Sequence, residues 1–383
     1  MLKFISLSLG LMVFSSCSSL KLDESVKNRK FSVHPIWTQR TTAVENQRYR
    51  KINRMTPVLA GSLLLQGNAI DGLSAYSADD GKLKWRKKIH AGVEPSALEF
   101  KGRTYVAASD GFFYALDSKT GNEIWSVNTK SENLSEPLLD DRSGILYFVS
   151  SANVVYALEA DTGRQIWIHT RQDTSQFSIR GGPRPALKDD HLFVGFSDGS
   201  LVSFNAKSGS VIWENHLNKN KKFRDIDSSP LVDGDRIYVS GYDDRLYCLS
   251  IQKGDVIWKV ETGGYSPLTI VGTRLFYPTS SGELWALNKE NGDKLWNYKL
   301  SEGLATQVKP YKGLIVFGES QSSLVFLDPE SGKKVGHFEP GRGILAAPLV
   351  DEKKSRVYFI SGEANLYALE ARWNWTPLNS YIP

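Results

Sequence analysis

"YALDSKTGNEIW", residues 114–125, returns with changed letters as "YALEADTGRQIW" at 156–167 and as "WALNKENGDKLW" at 285–296. Each copy is an apolar run, a polar turn ending in glycine, and a tryptophan four residues after that glycine. Aligned on the glycine, the series runs Gly81, Gly121, Gly163, Gly209, Gly254, Gly292 and Gly332, at spacings of 38 to 46 residues. Trp85, Trp125, Trp167, Trp213, Trp258 and Trp296 follow in register, and Gly336 breaks the pattern. A period of about 40 residues made of short strands predicts β-propeller blades of four antiparallel strands each.

The letters within one copy support that geometry. Six residues before the glycine stands a small residue, Ala75, Ala115, Ala157, Ser203, Cys248 or Ala286, with apolar neighbours on both sides of it in every copy but the first, where Ser74 precedes. A strand apolar on both faces must be covered on both faces, and radially stacked sheets do that. Asp71-Gly72, Asp110-Gly111, Asp198-Gly199 and Ser281-Gly282 mark hairpins upstream. The tryptophan then opens the outermost strand, where its ring is expected to be buried as a fastener between blades. An eighth apolar strand, "ANLYALEA" (Ala364 to Ala371), has no Gly-turn-Trp after it. "FSVHPIWTQR" (Phe31 to Arg40) supplies the missing piece, with Trp37 in the tryptophan slot. The expectation is an all-β, eight-bladed propeller over residues 31–375, closed by its N-terminal strand and followed by a short tail, 376–383. Closure removes the open sheet edges that invite aggregation.

Residues 1–16 do not belong to that body. Lys3 precedes an apolar stretch, "FISLSLGLMVF" (Phe4 to Phe14), too short to span a bilayer as a helix. "FSSC" (Phe14 to Cys17) then places small residues before a cysteine. The segment resembles a bacterial lipoprotein signal, although Phe14 stands where Leu is usual. The resemblance implies cleavage before Cys17, lipid on its sulfur and new amino group, and a tether over 17–30. A plain secretory signal with an incidental cysteine is the competing reading. Ser18, rather than Asp, fits transport to the outer membrane. Cys248 is the only other cysteine and reads as a small buried side chain.

The formal charge of +5, without a run of five like charges, gives no support to nucleic-acid binding. His34, His90, His169, His191, His216 and His337 are dispersed, with no metal-ligand spacing. No nucleophile elbow or phosphate loop occurs. Neither a cofactor nor a catalytic residue is expected.

Departures from a regular ring carry the functional information. The two longest spacings are adjacent, Gly163 to Gly209 and Gly209 to Gly254. Their extra residues fall in two inter-blade connections, "RQDTSQFSIRGGPRPAL" (Arg171 to Leu187) and "NKNKKFRDIDSSPLV" (Asn218 to Val232). Following neighbouring blades, they are expected side by side on one end of the ring. Phe177, Ile179, Phe223 and Ile226 among Arg180, Asp225 and Asp227 suit a partner-binding patch. Alternatively, these residues cap their own blades and pair across the two loops.

"SIRGGPRPAL" (Ser178 to Leu187) followed by "FRDIDSSPLVDGDRIYVSGYDDRLYCLSIQKGDVIWK" (Phe223 to Lys259) resembles the outer membrane protein assembly factor BamB family. Members are eight-bladed lipoprotein propellers with Ser-Leu-Arg-Gly in one such loop and Asp-Val-Asp-Thr-Thr-Pro in the next. The resemblance implies a non-enzymatic scaffold facing the periplasm from the outer membrane. Its implied partners are the POTRA domains of the barrel-inserting subunit BamA and other subunits of that machine, with a role in orienting incoming barrel strands. Carried over by position, the family's contacts fall on Phe177, Ile179, Arg180, Asp225 and Asp227. "GGPRP" is richer in Gly and Pro than the family loop, so the local loop shape is open.

The repeats also resemble those of pyrroloquinoline-quinone dehydrogenases, which bind quinone and Ca²⁺ on the ring axis. This chain lacks their adjacent Cys-Cys pair and a haem Cys-x-x-Cys-His motif, and it is shorter than they are. A propeller that takes a small molecule or peptidoglycan fragment in its axial channel is the other alternative.

Overall fold

The computed structural model describes residues 29–43, 53–94, 96–171, 182–218, 224–226, 228–241, 243–264 and 266–375. Every regular element among them is a β-strand, and the 32 strands form eight four-stranded sheets. Blade 2 shows the pattern: Leu98–Phe100, Arg103–Ala107, Phe112–Asp117 and Glu123–Asn128, paired in that order and antiparallel. Blades 1 and 3–7 repeat it over 58–88, 138–170, 186–216, 231–260, 269–299 and 309–338. Blade 8 takes its first three strands from 349–375 and its fourth from Arg29–Arg40, which pairs with Asn365–Trp375. The eight-bladed propeller is thus closed by the N-terminal strand, as the sequence indicates.

Two compact units partition the chain. Residues 32–372 hold the blades. The described residues of the other are 29–31 and 373–375, where the Phe31 and Trp373 rings meet edge-on at 5.2 Å. No helix among the described residues is long and apolar enough to cross a membrane.

The repeated glycine and tryptophan meet between blades. A methyl group built on Gly163 would lie 2.6 Å from Cε3 of Trp125, one blade back, and Gly121 stands in the same relation to Trp85 at 2.5 Å. Each indole thus lies flat on the turn of the next blade, at the residue that has no side chain to obstruct it. Its Nε1 donates to a carbonyl of that same turn: Trp85 to Ser118, Trp125 to Ala160, Trp167 to Ala206 and Trp213 to Ile251, at 2.8–3.2 Å. Tyr105 and Tyr147, on second strands, send their hydroxyls to the Ala160 and Ala206 carbonyls as well. Trp258 is the exception: its Nε1 has no acceptor, while Tyr238 takes the Lys289 carbonyl.

The rings are expected to be buried, and among the six only Trp167, at 9% exposure, is nearly so. The others are half-buried, because each covers the next blade with one face while its rim lies on the outermost strand of its own sheet. The small residue six before the glycine pairs directly opposite the tryptophan, as Ala75 does with Trp85 and Cys248 with Trp258, and is wholly buried.

Blade 7 inverts this pair. Phe326 occupies the small-residue position and faces Gly336 in the tryptophan slot. The ring of Tyr311 meets Phe326 edge-on at 5.9 Å, and its hydroxyl donates to the Ala371 carbonyl of blade 8. Tyr311 and Phe326 together fill the interface that lacks its indole.

Candidate functional site

The two lengthened connections leave blades 3 and 4, and their described ends converge on one hairpin of blade 4, around Phe196. At the first, Arg171 follows the outer strand Gln165–Thr170 of blade 3. Its Nε donates to Asp198 Oδ2 at 2.5 Å and its Nη2 to Glu214 Oε1 at 2.6 Å, and the guanidinium lies 5.1 Å over the Phe196 ring. At the second, the Ile226 N–H donates to the Phe196 carbonyl at 3.1 Å. The far ends also touch: the Arg184 N–H donates to Ser229 Oγ at 2.9 Å.

The charges at this hairpin are set by partial burial. The Arg171 side chain is 15% exposed and that of Asp198 16%. Burial pushes the Asp198 carboxyl up, but hydrogen bonds from Ser200 and Arg171 outweigh it and hold the group below the usual carboxylate range. The hydrogen bond from Arg171 likewise lowers Glu214 against desolvation. His169, beside Phe196 and Phe204, is held below its ordinary value by burial and by the Arg171 charge. Arg171 is therefore a charged clamp joining the end of blade 3 to a hairpin turn and the outer strand of blade 4.

Of the residues singled out in the sequence, Cys17, Phe177, Ile179, Arg180, Phe223 and Asp227 lie outside the described residues. Asp225 is described and wholly buried. Ile226, at 1% exposure, fills the gap between blades 4 and 5 rather than a surface patch. A methyl group on Gly195 would lie 2.7 Å from Ile226 Cγ2, and one on Gly241 would lie 2.9 Å from its Cδ1. The glycines in "FVGFSDG" and "YVSGYDD" make that space, and they were the sequence signal for it. Gly182 sits as closely against the Leu134–Ser135 backbone, and Ser135 Oγ donates to the Pro183 carbonyl at 3.0 Å.

A cavity lies where the segments before the first strands of all eight blades meet, on the axis of the blades. This axial channel section, of about 280 Å³, is lined by residues that include Arg54, Glu94, Glu136, Arg184 and Gln307. A second section of about 320 Å³ shares Glu136, Arg184, Ser229 and Gln307 with the first and adds Lys309. Arg184 Nε lies 3.4 Å from Glu136 Oε1, and Lys309 Nζ donates to Gln307 Oε1 at 2.7 Å. None of these channel charges was singled out from the sequence. No three His, Cys, Asp or Glu side chains converge as a metal site among the described residues.

Comparison with known proteins follows the fold and then narrows it. The family described as outer membrane protein assembly factor BamB matches residues 34–142, 73–298 and 230–378. Outer membrane protein assembly factor BamB of Shewanella oneidensis is 23% identical over 392 residues, covering 95% of this chain and 98% of its own. Its namesake from Escherichia coli is 26% identical over 386 residues, covering 92% and 97%. Among solved structures, BamB from Moraxella catarrhalis superposes with a TM-score of 0.72 at 17% identity, over 88% of this chain and all of that one. Quinohemoprotein alcohol dehydrogenase from Comamonas testosteroni gives 0.72 at 14% identity, over 90% of this chain and 77% of its own. Such identities carry the fold alone, and both proteins share it. The family match over most of the sequence makes the distinction, and the chain belongs to the outer membrane protein assembly factor BamB family.

Proposed function

We propose that this protein is a scaffold of the outer membrane β-barrel assembly machinery, anchored to the outer membrane by lipid on Cys17 and facing the periplasm. It holds the POTRA domains of a BamA-like subunit and has no covalent step of its own. The observation that carries this reading is the convergence of two lengthened connections on one hairpin of blade 4, through Arg171 and Ile226. Phe177, Ile179 and Arg180 supply the apolar anchor and the cation for the partner, and Asp227 supplies a carboxylate. Asp225, being buried, acts from beneath by fixing the second connection. Central apolar residues with flanking charge are the arrangement that gives a protein interface affinity and register.

Co-purification from solubilised outer membrane tests the reading. Arg180→Glu is expected to reduce recovery of the BamA-like subunit at least tenfold while the melting temperature stays unchanged. Undiminished recovery would remove the patch.

A further inference from the structure

We infer that the axial channel is a binding site for a small multivalent oxyanion, a carboxylate or phosphate compound, held between Lys309 and Arg184. This goes beyond the scaffold reading and does not depend on it.

Lys309 breaks the repeat. It opens the first strand of blade 7 and pairs with Val316, a register that blades 2, 3, 5 and 8 give to Leu98, Leu138, Leu231 and Leu349. Blades 1, 4 and 6 place Val58, Ala186 and Thr269 there, so Lys309 is the one charged residue at this register, and its ammonium incurs desolvation. Such a residue is explained by what it faces. Lys309 lines the same cavity as Glu136, before the first strand of blade 3, and Arg184, before that of blade 4, and both charges act on it.

The charges at this level do not balance. Among the described residues of the second section, Lys309 and Arg184 share one carboxylate, Glu136, which lies 3.4 Å from Arg184. The acceptor found by Lys309 Nζ is the neutral Gln307 amide. Burial lowers the Lys309 pKa, Glu136 opposes that change and the Arg184 charge adds to it. An anion between the two cations would relieve both the desolvation and the repulsion. Ser229 lines the same section, and its hydroxyl, which accepts from the Arg184 N–H, keeps its hydrogen for a ligand. A volume near 300 Å³ stands at the lower end for small-molecule sites, which limits the ligand to a compact one.

Calorimetric titration of the full chain with citrate and, separately, inorganic phosphate, against sodium chloride at matched ionic strength, tests the site. Saturable binding of at least one probe is expected, weakened tenfold or more by Lys309→Leu and by Arg184→Gln. The probe that binds tells a carboxylate ligand from a phosphate one. Leucine at this position is the residue of four other blades, so Lys309→Leu is expected to fold and to recover a BamA-like partner as wild type does. Should it not fold, Lys309→Gln takes its place. Heats no larger than those from chloride, or binding equal to wild type in the variants, would overturn the inference.

Discussion

Trp37 lies flat on Gly81, the turn glycine of blade 1, so closely that a methyl group there would sit 2.7 Å from its Cε3. The indole Nε1 also donates to the Ala78 carbonyl at 3.2 Å. A residue near the start of the chain thereby makes, between blades 8 and 1, the joint that Trp125 and Gly163 make between blades 2 and 3. Ring closure uses the same part as every regular joint.

Trp37→Ala should accordingly open the ring at its seam. The ring is half-buried, so a loss of about 3 kcal/mol is expected, at the lower end for a truncated tryptophan. Limited proteolysis should cut within Arg29–Arg40 before any other strand. Uniform resistance along the chain would mean that closure does not depend on this contact.

Two glycines separate backbone strain from steric conflict. Gly61 and Gly163 both hold positive φ, +63° and +72°, but a side chain on Gly61 meets nothing within 4 Å. Gly61→Ala should cost about 1 kcal/mol, the strain alone. Gly163→Ala should cost about 2 kcal/mol more, because its methyl would have to displace the Trp125 ring. Equal denaturation midpoints for the two variants would refute the stacking account.

Cys248 gives a chemical check on the packing. Burial pushes its thiol up to about 11, the nearby Arg236 charge only partly opposing it, and the residue is wholly buried opposite Trp258. A thiol so protected is almost all protonated at neutral pH and is a poor nucleophile. In Cys17→Ser protein, an alkylating reagent at pH 8 is expected to label nothing until denaturant is added. Rapid labelling of the native state would show that the blade 5–6 joint opens.

Much of the fold was legible because a repeat states its geometry several times over. The Gly-x-x-x-Trp spacing, the small residue facing the indole, and the stray Trp37 each proved to be parts of one joint. Less could be read where an irregular connection meets a repeated body. Ile226 looked like a surface anchor because charges flank it in sequence, yet Gly195 and Gly241 leave a hole that its side chain fills. The channel charges were hidden for the opposite reason. Lys309, Arg184 and Glu136 are scattered in sequence and meet only once the first strands of eight blades surround an axis.

The Arg171 clamp joins stability to the proposed contact and makes a prediction about pH. Asp198 and Glu214 both titrate below their ordinary range in the folded protein. A lowered folded pKa means that the unfolded chain takes up protons first as pH falls. Their contribution is therefore complete above the ordinary carboxylate values of about 4 and drains away as pH drops through the lower folded values. Arg171→Met removes the cation and leaves Asp198, 16% exposed, facing it without a charge partner. A loss of about 2 kcal/mol at pH 7 is expected, less than for a fully buried pair because Glu214 is 31% exposed. The variant's deficit should shrink steadily below pH 4, where wild type loses the same interaction. Because Arg171 stands directly before the connection that carries Phe177, Ile179 and Arg180, recovery of a BamA-like partner should fall along with it. A deficit that stays constant from pH 7 to pH 3 would show that Arg171 acts through its stacking on Phe196 and not through its charge.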